Sequence, residues 1–95
     1  MGDVETAAAR IVICNQRGLH ARASAKFVKC AEGFVAAIEV SKDGETVEGR
    51  SILDLMMLAA GPGAEIEIMA RGSDAVAALA ALRALVECGF EENDE

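Results

Sequence analysis

Two periods of hydrophobicity run along this chain. Apolar residues alternate with polar ones in some stretches and recur every three to four residues in others. The run Ile11-Val12-Ile13-Cys14 predicts a first strand over Arg10–Cys14, after a loose lead-in at residues 1–9. Asn15–Leu19 reads as a loop in which Gly18 is free to take positive φ. From Ala21 the period lengthens. Ala21, Ala25 and Val28, with Phe27 and Ala31 beside them, predict an amphipathic helix over Ala21–Glu32, with Lys26 and Lys29 on its wet side and Gly33 as its stop.

Phe34–Lys42 alternates again, with Phe34, Ala36, Ile38 and Val40 on one face. Asp43-Gly44 is a hairpin turn signal, followed by a return strand over Glu45–Gly49 with Val47 inward. Ser51 is a suitable N-cap for a second helix running to about Ala59, with Asp54 three residues on, and Gly61-Pro62-Gly63 is the expected stop. Ala64–Ala70 is a fourth alternating strand. Gly72-Ser73-Asp74 is a turn that should cap a last helix over Ala75–Cys88, its buried stripe being Val76, Leu79, Leu82 and Val86. Residues 91–95 form a solvated acidic end. The order β-α-β-β-α-β-α, with strands apolar on one face only, predicts an α+β two-layer open-faced sandwich. Its four-stranded antiparallel sheet is covered on one face by three helices.

Length adds one constraint: 95 residues make one domain, expected to span 1–95. A net charge of −7 and the lack of Trp and Tyr argue against nucleic acid as a partner. The three cysteines, Cys14, Cys30 and Cys88, have neither zinc-site nor disulfide-framework spacing, so reduced thiols, no metal and a cytoplasmic location are expected. No apolar run approaches a membrane span, and membrane insertion is not expected. The opening Met1-Gly2-Asp3-Val4-Glu5-Thr6 matches a myristoylation pattern, but Asp3 and Glu5 would repel an anionic membrane; a frayed acidic start is the simpler reading.

Charge is distributed unevenly. Between Glu5 and Glu32 there is no acid, yet Arg10, Arg17, Arg22, Lys26 and Lys29 all fall there, in a chain with 16 acids in total. Such a local field should attract an anion or an acidic surface. His20, the single histidine, stands where the loop becomes the first helix. Helix amides at that end lack internal acceptors and the dipole end is positive, so an anion is held there by both, with Arg22 adding a charge that can fork onto oxyanions. His20 is then either a capping surface histidine or a group that handles an anion. The second helix carries more apolar residues than one buried face requires. Leu55 and Leu58 suit the core; Ile52, Leu53, Met56 and Met57 either pack inward with distortion or form an exposed docking patch.

Gly-Leu-His-Ala-Arg at 18–22, followed by Phe27-Val28-Lys29, resembles the active-site signature of the HPr phosphocarrier family. Arg50-Ser51-Ile52-Leu53-Asp54-Leu55-Met56 resembles its second signature, around a regulatory serine. The likeness extends over roughly residues 10–90, and within the family the chain resembles a proteobacterial phosphocarrier, of the sugar-transport or the nitrogen-related branch. It implies a relay in the phosphoenolpyruvate-dependent phosphotransferase system, serving sugar transport or nitrogen regulation. Enzyme I would pass a phosphoryl group to His20, carried on Nδ1, and His20 would pass it to an enzyme IIA-type acceptor. The chain would be a monomeric carrier without cofactor, a substrate of its partners and not a turnover enzyme.

The resemblance also implies that Ala21 and Arg22 bind the phosphoryl group. The loop departs from the family at Asn15-Gln16-Arg17-Gly18, where asparagine often stands directly before the glycine, and Arg17 would add positive charge beside the group. Lys26, Lys29, Ile52, Leu53, Met56 and Met57 would dock partners, and Ser51 would be a target for a serine kinase. Ala23 stands where the family usually has proline; alanine is a strong helix former, so a slightly looser first turn is expected, with the site retained. A regulatory docking module working through Ser51, and a small-anion or metal sensor, are the rival readings.

Overall fold

The computed structural model describes residues 5–92. The elements run β1 (Glu5–Val12), α1 (Ala21–Ala31), β2 (Ala37–Lys42), β3 (Glu45–Glu48), α2 (Ile52–Met57), β4 (Glu65–Gly72) and α3 (Ala75–Glu87), closed by a 3₁₀ turn at Gly89–Glu91. The four strands form one antiparallel sheet in the order β1-β4-β2-β3. Ile11, Ile38, Val40, Ile66, Ile68 and Ala70 point to the helix side and are buried there. The expected α+β open-faced sandwich is therefore the observed fold.

Several boundaries and faces differ from expectation. The first strand starts at Glu5 and not at Arg10, because β4 supplies eight consecutive partners, from Glu5 opposite Gly72 to Val12 opposite Glu65. Residues 5–9 are thus paired, and residues 1–4, which hold the start of the myristoylation pattern, lie outside the described residues. The second strand begins at Ala37 instead of Phe34, since the amides of Val35 and Ala36 are taken by the Asp74 carboxylate at 2.9 and 2.8 Å. Asp74 consequently makes no side-chain cap on α3, contrary to its expected role.

The α1 face is rotated from the one expected. Ala23, Ser24, Phe27, Val28 and Ala31 are buried, whereas Ala21 and Ala25 are exposed. Ser24 is accommodated because its hydroxyl donates to the Leu19 carbonyl at 3.2 Å. In α3 the buried stripe is Ala75, Ala78, Leu82 and Val86; Val76 is 62% exposed and Leu79 only half-buried. Alanines at the contact let α3 lie close to β1 and β4. The second helix ends at Met57, short of the expected Ala59, which lies in the left-handed region at φ 54. The hairpin at Asp43-Gly44 has both residues at positive φ, 51 and 84, as a two-residue turn of matching twist requires.

The three thiols are unpaired, and burial pushes the Cys30 thiol up. Among the described residues no helix is long and apolar enough to cross a membrane.

Candidate functional site

The loop between β1 and α1 is held by backbone contacts that leave little choice of residue. Asn15 and Gly18 close a turn, with the Gly18 amide donating to the Asn15 carbonyl at 3.2 Å. Gly18 has φ +65, and a Cβ there would lie 2.2 Å from the Ala60 carbonyl oxygen and 2.8 Å from the Gly61 Cα. Only glycine meets both conditions. The next amide, from Leu19, donates to the Ala60 carbonyl at 2.9 Å. The histidine loop is therefore seated on the segment that follows α2.

His20 is the N-cap of α1. Its backbone is extended, its carbonyl accepts the first helical bond from Ser24 at 2.8 Å, and its Nδ1 accepts from the Arg22 amide at 3.2 Å. The helix starts without a proline at Ala23, which is fully buried. No acid stands in the first turn. Arg17 and Arg22, before and after His20 in the chain, are exposed, and the Arg22 guanidinium makes no hydrogen bond among the described residues.

The other ring nitrogen is engaged by the end of the chain. His20 Nε2 lies 2.5 Å from Glu92 Oε2, and Asn15 Nδ2 donates to Glu92 Oε1 at 3.1 Å and to the Gly18 carbonyl at 2.9 Å. Directing both amide protons at these acceptors leaves the buried Asn15 Oδ1 without a partner among the described residues. The hydrogen bond from His20 holds the Glu92 carboxyl below the usual carboxylate range, against the opposing effect of desolvation; the Asn15 bond and the Arg17 charge act in the same sense as the histidine. The histidine and glutamate side chains remain 22% and 17% exposed, so the ring is open to an approaching surface.

Glu92 is thus not a solvated tail residue, as expected from sequence, but a part of this site. Phe90 anchors it. The ring is fully buried, and Gly89, Phe90 and Glu91 all take positive φ, at 70, 58 and 62. Left-handed backbone costs about 1–2 kcal/mol at each of the two non-glycine positions. Burying a phenylalanine contributes about 2–3 kcal/mol and so offsets most of that cost. Lys26 adds a bond from Nζ to the Phe90 carbonyl at 2.7 Å. Neither Asn15 nor Glu92 carries a motif; the one signal was a lone aromatic, Phe90, between Gly89 and two acids.

The remaining sequence-predicted residues divide. Lys26 is half-buried and tied to Phe90, not free on the wet side, while Lys29 is exposed. Arg10 lies on the open face of the sheet opposite Glu67, so it does not join the positive patch around His20. Leu55 and Leu58 are buried; Ile52, Leu53, Met56 and Met57 are exposed, Leu53 and Met57 by 67% and 68%. Ser51 caps α2, its hydroxyl accepting from the Asp54 amide at 3.2 Å. Arg50 beside it is spent on structure: its guanidinium donates to the carbonyls of Ala31 and Phe34 at 2.9 and 2.6 Å.

Comparison with known proteins bears on the family of the chain as a whole. The family described as "PTS HPr component phosphorylation site" matches residues 7–88. The phosphocarrier protein HPr of Cupriavidus necator is 43% identical over 82 residues, covering 86% of this chain and 92% of the relative. The phosphocarrier protein NPr of Shewanella violacea is 41% identical over 83 residues, covering 87% and 91%. Among solved structures, HPr from Bacillus anthracis superposes with a TM-score of 0.82 at 44% identity, covering 85% of this chain and 96% of that one. An HPr from Thermoanaerobacter tengcongensis gives 0.88 at 38% identity, covering 93% and 99%. With a family match over most of its length and relatives above 40% identity, this chain belongs to the HPr family of phosphocarrier proteins of the phosphotransferase system.

Proposed function

We propose that the chain carries its phosphoryl group on His20, accepting it from phosphorylated Enzyme I and donating it to an enzyme IIA-type acceptor. The observation that carries this reading is the position of Nδ1. It faces the first-turn amides of an eleven-residue helix, next to Arg22, with no acid in that turn. Nδ1 accepts a hydrogen bond from an amide, so its lone pair is available once that weak bond at 3.2 Å is given up.

The step is a direct displacement. The Nδ1 lone pair forms a bond to phosphorus, the bond from phosphorus to the donor breaks, and its electron pair leaves with the donor. The attacking nitrogen bears no proton, so no base is needed. The added charge of about −2 meets the helix amides and the guanidinium of Arg22, with Arg17 nearby. Holding by an exposed arginine and a helix end is moderate, which suits a group that must leave again. Catalysis here is positioning and electrostatics. The exposed apolar side chains Ile52, Leu53, Met56 and Met57 supply a docking surface adjoining the site through the Leu19–Ala60 contact, and Lys29 adds positive charge. Ser51 as a kinase target rests on the second signature alone.

Incubation with Enzyme I and phosphoenolpyruvate tests the proposal. An acid-labile single phosphoryl adduct is expected, and His20→Ala should lose it completely. An acid-stable adduct on Ser51, with none on His20, would overturn the relay in favour of a regulatory module.

A further inference from the structure

We propose that Glu92 is a positioning residue for phosphoryl transfer: its carboxylate holds the Nε2 proton of His20 throughout, keeping Nδ1 as the nucleophile and making the ring a good leaving group on the return step. This deepens the reading of His20 as the carrier and rests on it.

The hydrogen-bond geometry assigns the proton. Nδ1 accepts from the Arg22 amide, so it bears no proton, and in the neutral ring the proton then belongs to Nε2. Nε2 is in close contact with Glu92 Oε2, and a ring N–H facing a carboxylate makes a charge-assisted bond, the stronger kind. The carboxylate is itself oriented. Its second oxygen accepts from Asn15 Nδ2, whose other proton is given to the Gly18 carbonyl of the histidine loop. The segment that delivers it is built against local preference, with three successive residues in left-handed backbone held by the buried Phe90 ring and by Lys26. Strained backbone kept in place by surrounding packing is characteristic of sites that need a fixed geometry.

The chemistry gives that geometry a use. When Nδ1 bonds to phosphorus, the ring becomes a phosphoimidazolium with its Nε2 proton still in place. Its positive charge lies against the Glu92 carboxylate. On the return step the P–N electron pair goes back to Nδ1 and the ring leaves as neutral imidazole, again with its proton on Nε2. Loss of that proton in the phosphorylated state would leave an anionic imidazolate as the leaving group, which departs poorly. Glu92 therefore acts through His20 and not on phosphorus. The charged groups around the ring are Arg17 from the loop, Arg22 from α1 and Glu92 from the tail.

The test uses the ¹⁵N-labelled full chain. Wild type should show a downfield ring N–H proton coupled to Nε2 of His20, absent in Glu92→Ala and moved upfield in Glu92→Gln, whose carboxamide oxygen is a neutral acceptor. A proton found on Nδ1, no resolved Nε2–H signal in wild type, or a signal unchanged in Glu92→Ala would overturn the proposal. Transfer from phosphorylated Enzyme I should fall about tenfold in Glu92→Ala and less in Glu92→Gln, the loss expected of one charge-assisted hydrogen bond. Equal rates in all three would overturn the role of Glu92 while leaving His20 as carrier. A wild-type chain that takes up no phosphoryl group would overturn the carrier reading and the transfer role together, and the ring proton would then decide the hydrogen bond alone.

Discussion

His20 and Ser51 do the same local job in this molecule. Each is an N-cap in extended backbone, and each side chain accepts a first-turn amide at 3.2 Å. Their surroundings make them different sites. Around His20 the first turn has no acid, Arg17 and Arg22 are exposed, and the helix behind it is eleven residues long. Around Ser51 the first turn holds Asp54, the helix has six residues, and the nearest arginine, Arg50, is committed to the carbonyls of Ala31 and Phe34. A phosphoryl group arriving at Nδ1 of His20 would meet Arg22 and the first-turn amides, with the Glu92 carboxylate on the other ring nitrogen; one arriving at Ser51 would meet the Asp54 carboxylate and a guanidinium already engaged. Cap geometry is thus not what distinguishes these two positions; the charged groups around them are.

Three further outcomes would break or sharpen this contrast. The largest concerns the loop beneath His20. Gly18→Ala places a Cβ against the Ala60 carbonyl in left-handed backbone, and should cost about 2–5 kcal/mol in chemical denaturation. A near-neutral Gly18→Ala would mean that the loop is not seated on the segment after α2. Next, Ser51→Ala should cost about 1 kcal/mol of stability while leaving phosphoryl uptake from Enzyme I unchanged. A loss of uptake on that substitution would erase the distinction drawn between the two caps.

The smallest effect is in pH. The Glu92 carboxyl is held below its ordinary range, chiefly by the hydrogen bond from His20, so its contribution is fully present above the unfolded carboxyl pKa of about 4.3 and is lost as pH falls through the lowered folded value. Thermal unfolding of wild type should therefore exceed that of Glu92→Gln by about 2 °C at pH 6, with the gap closing under strong acid. No gap at pH 6 would show that the tail is held by Phe90 and Lys26 without help from the carboxylate.

Much of this molecule is legible in its local sequence, because local sequence is what periodicity and turn chemistry report. The strand alternation at Ile38/Val40 and Ile66/Ile68, the turn at Asp43-Gly44 and the Ser51 cap are each decided within a few residues, and each appears as expected. The same holds for His20 at a helix start with Arg22 beside it, and for an α2 too apolar to bury all of Ile52, Leu53, Met56 and Met57. What tertiary structure alone decided are the choices made by distant partners. The pairing of residues 5–9 needed β4; the use of Asp74 needed the amides of Val35 and Ala36. The faces of α1 and α3 were ambiguous because alanine reads as apolar on either side of a helix, and only packing chose which alanines to bury. Glu92 on His20 is the furthest case, a contact across 72 residues made by a buried ring and a left-handed turn. Hydrophobic period carries no information about a pairing at that separation, because the polar partner is chosen by where the core leaves the end of the chain.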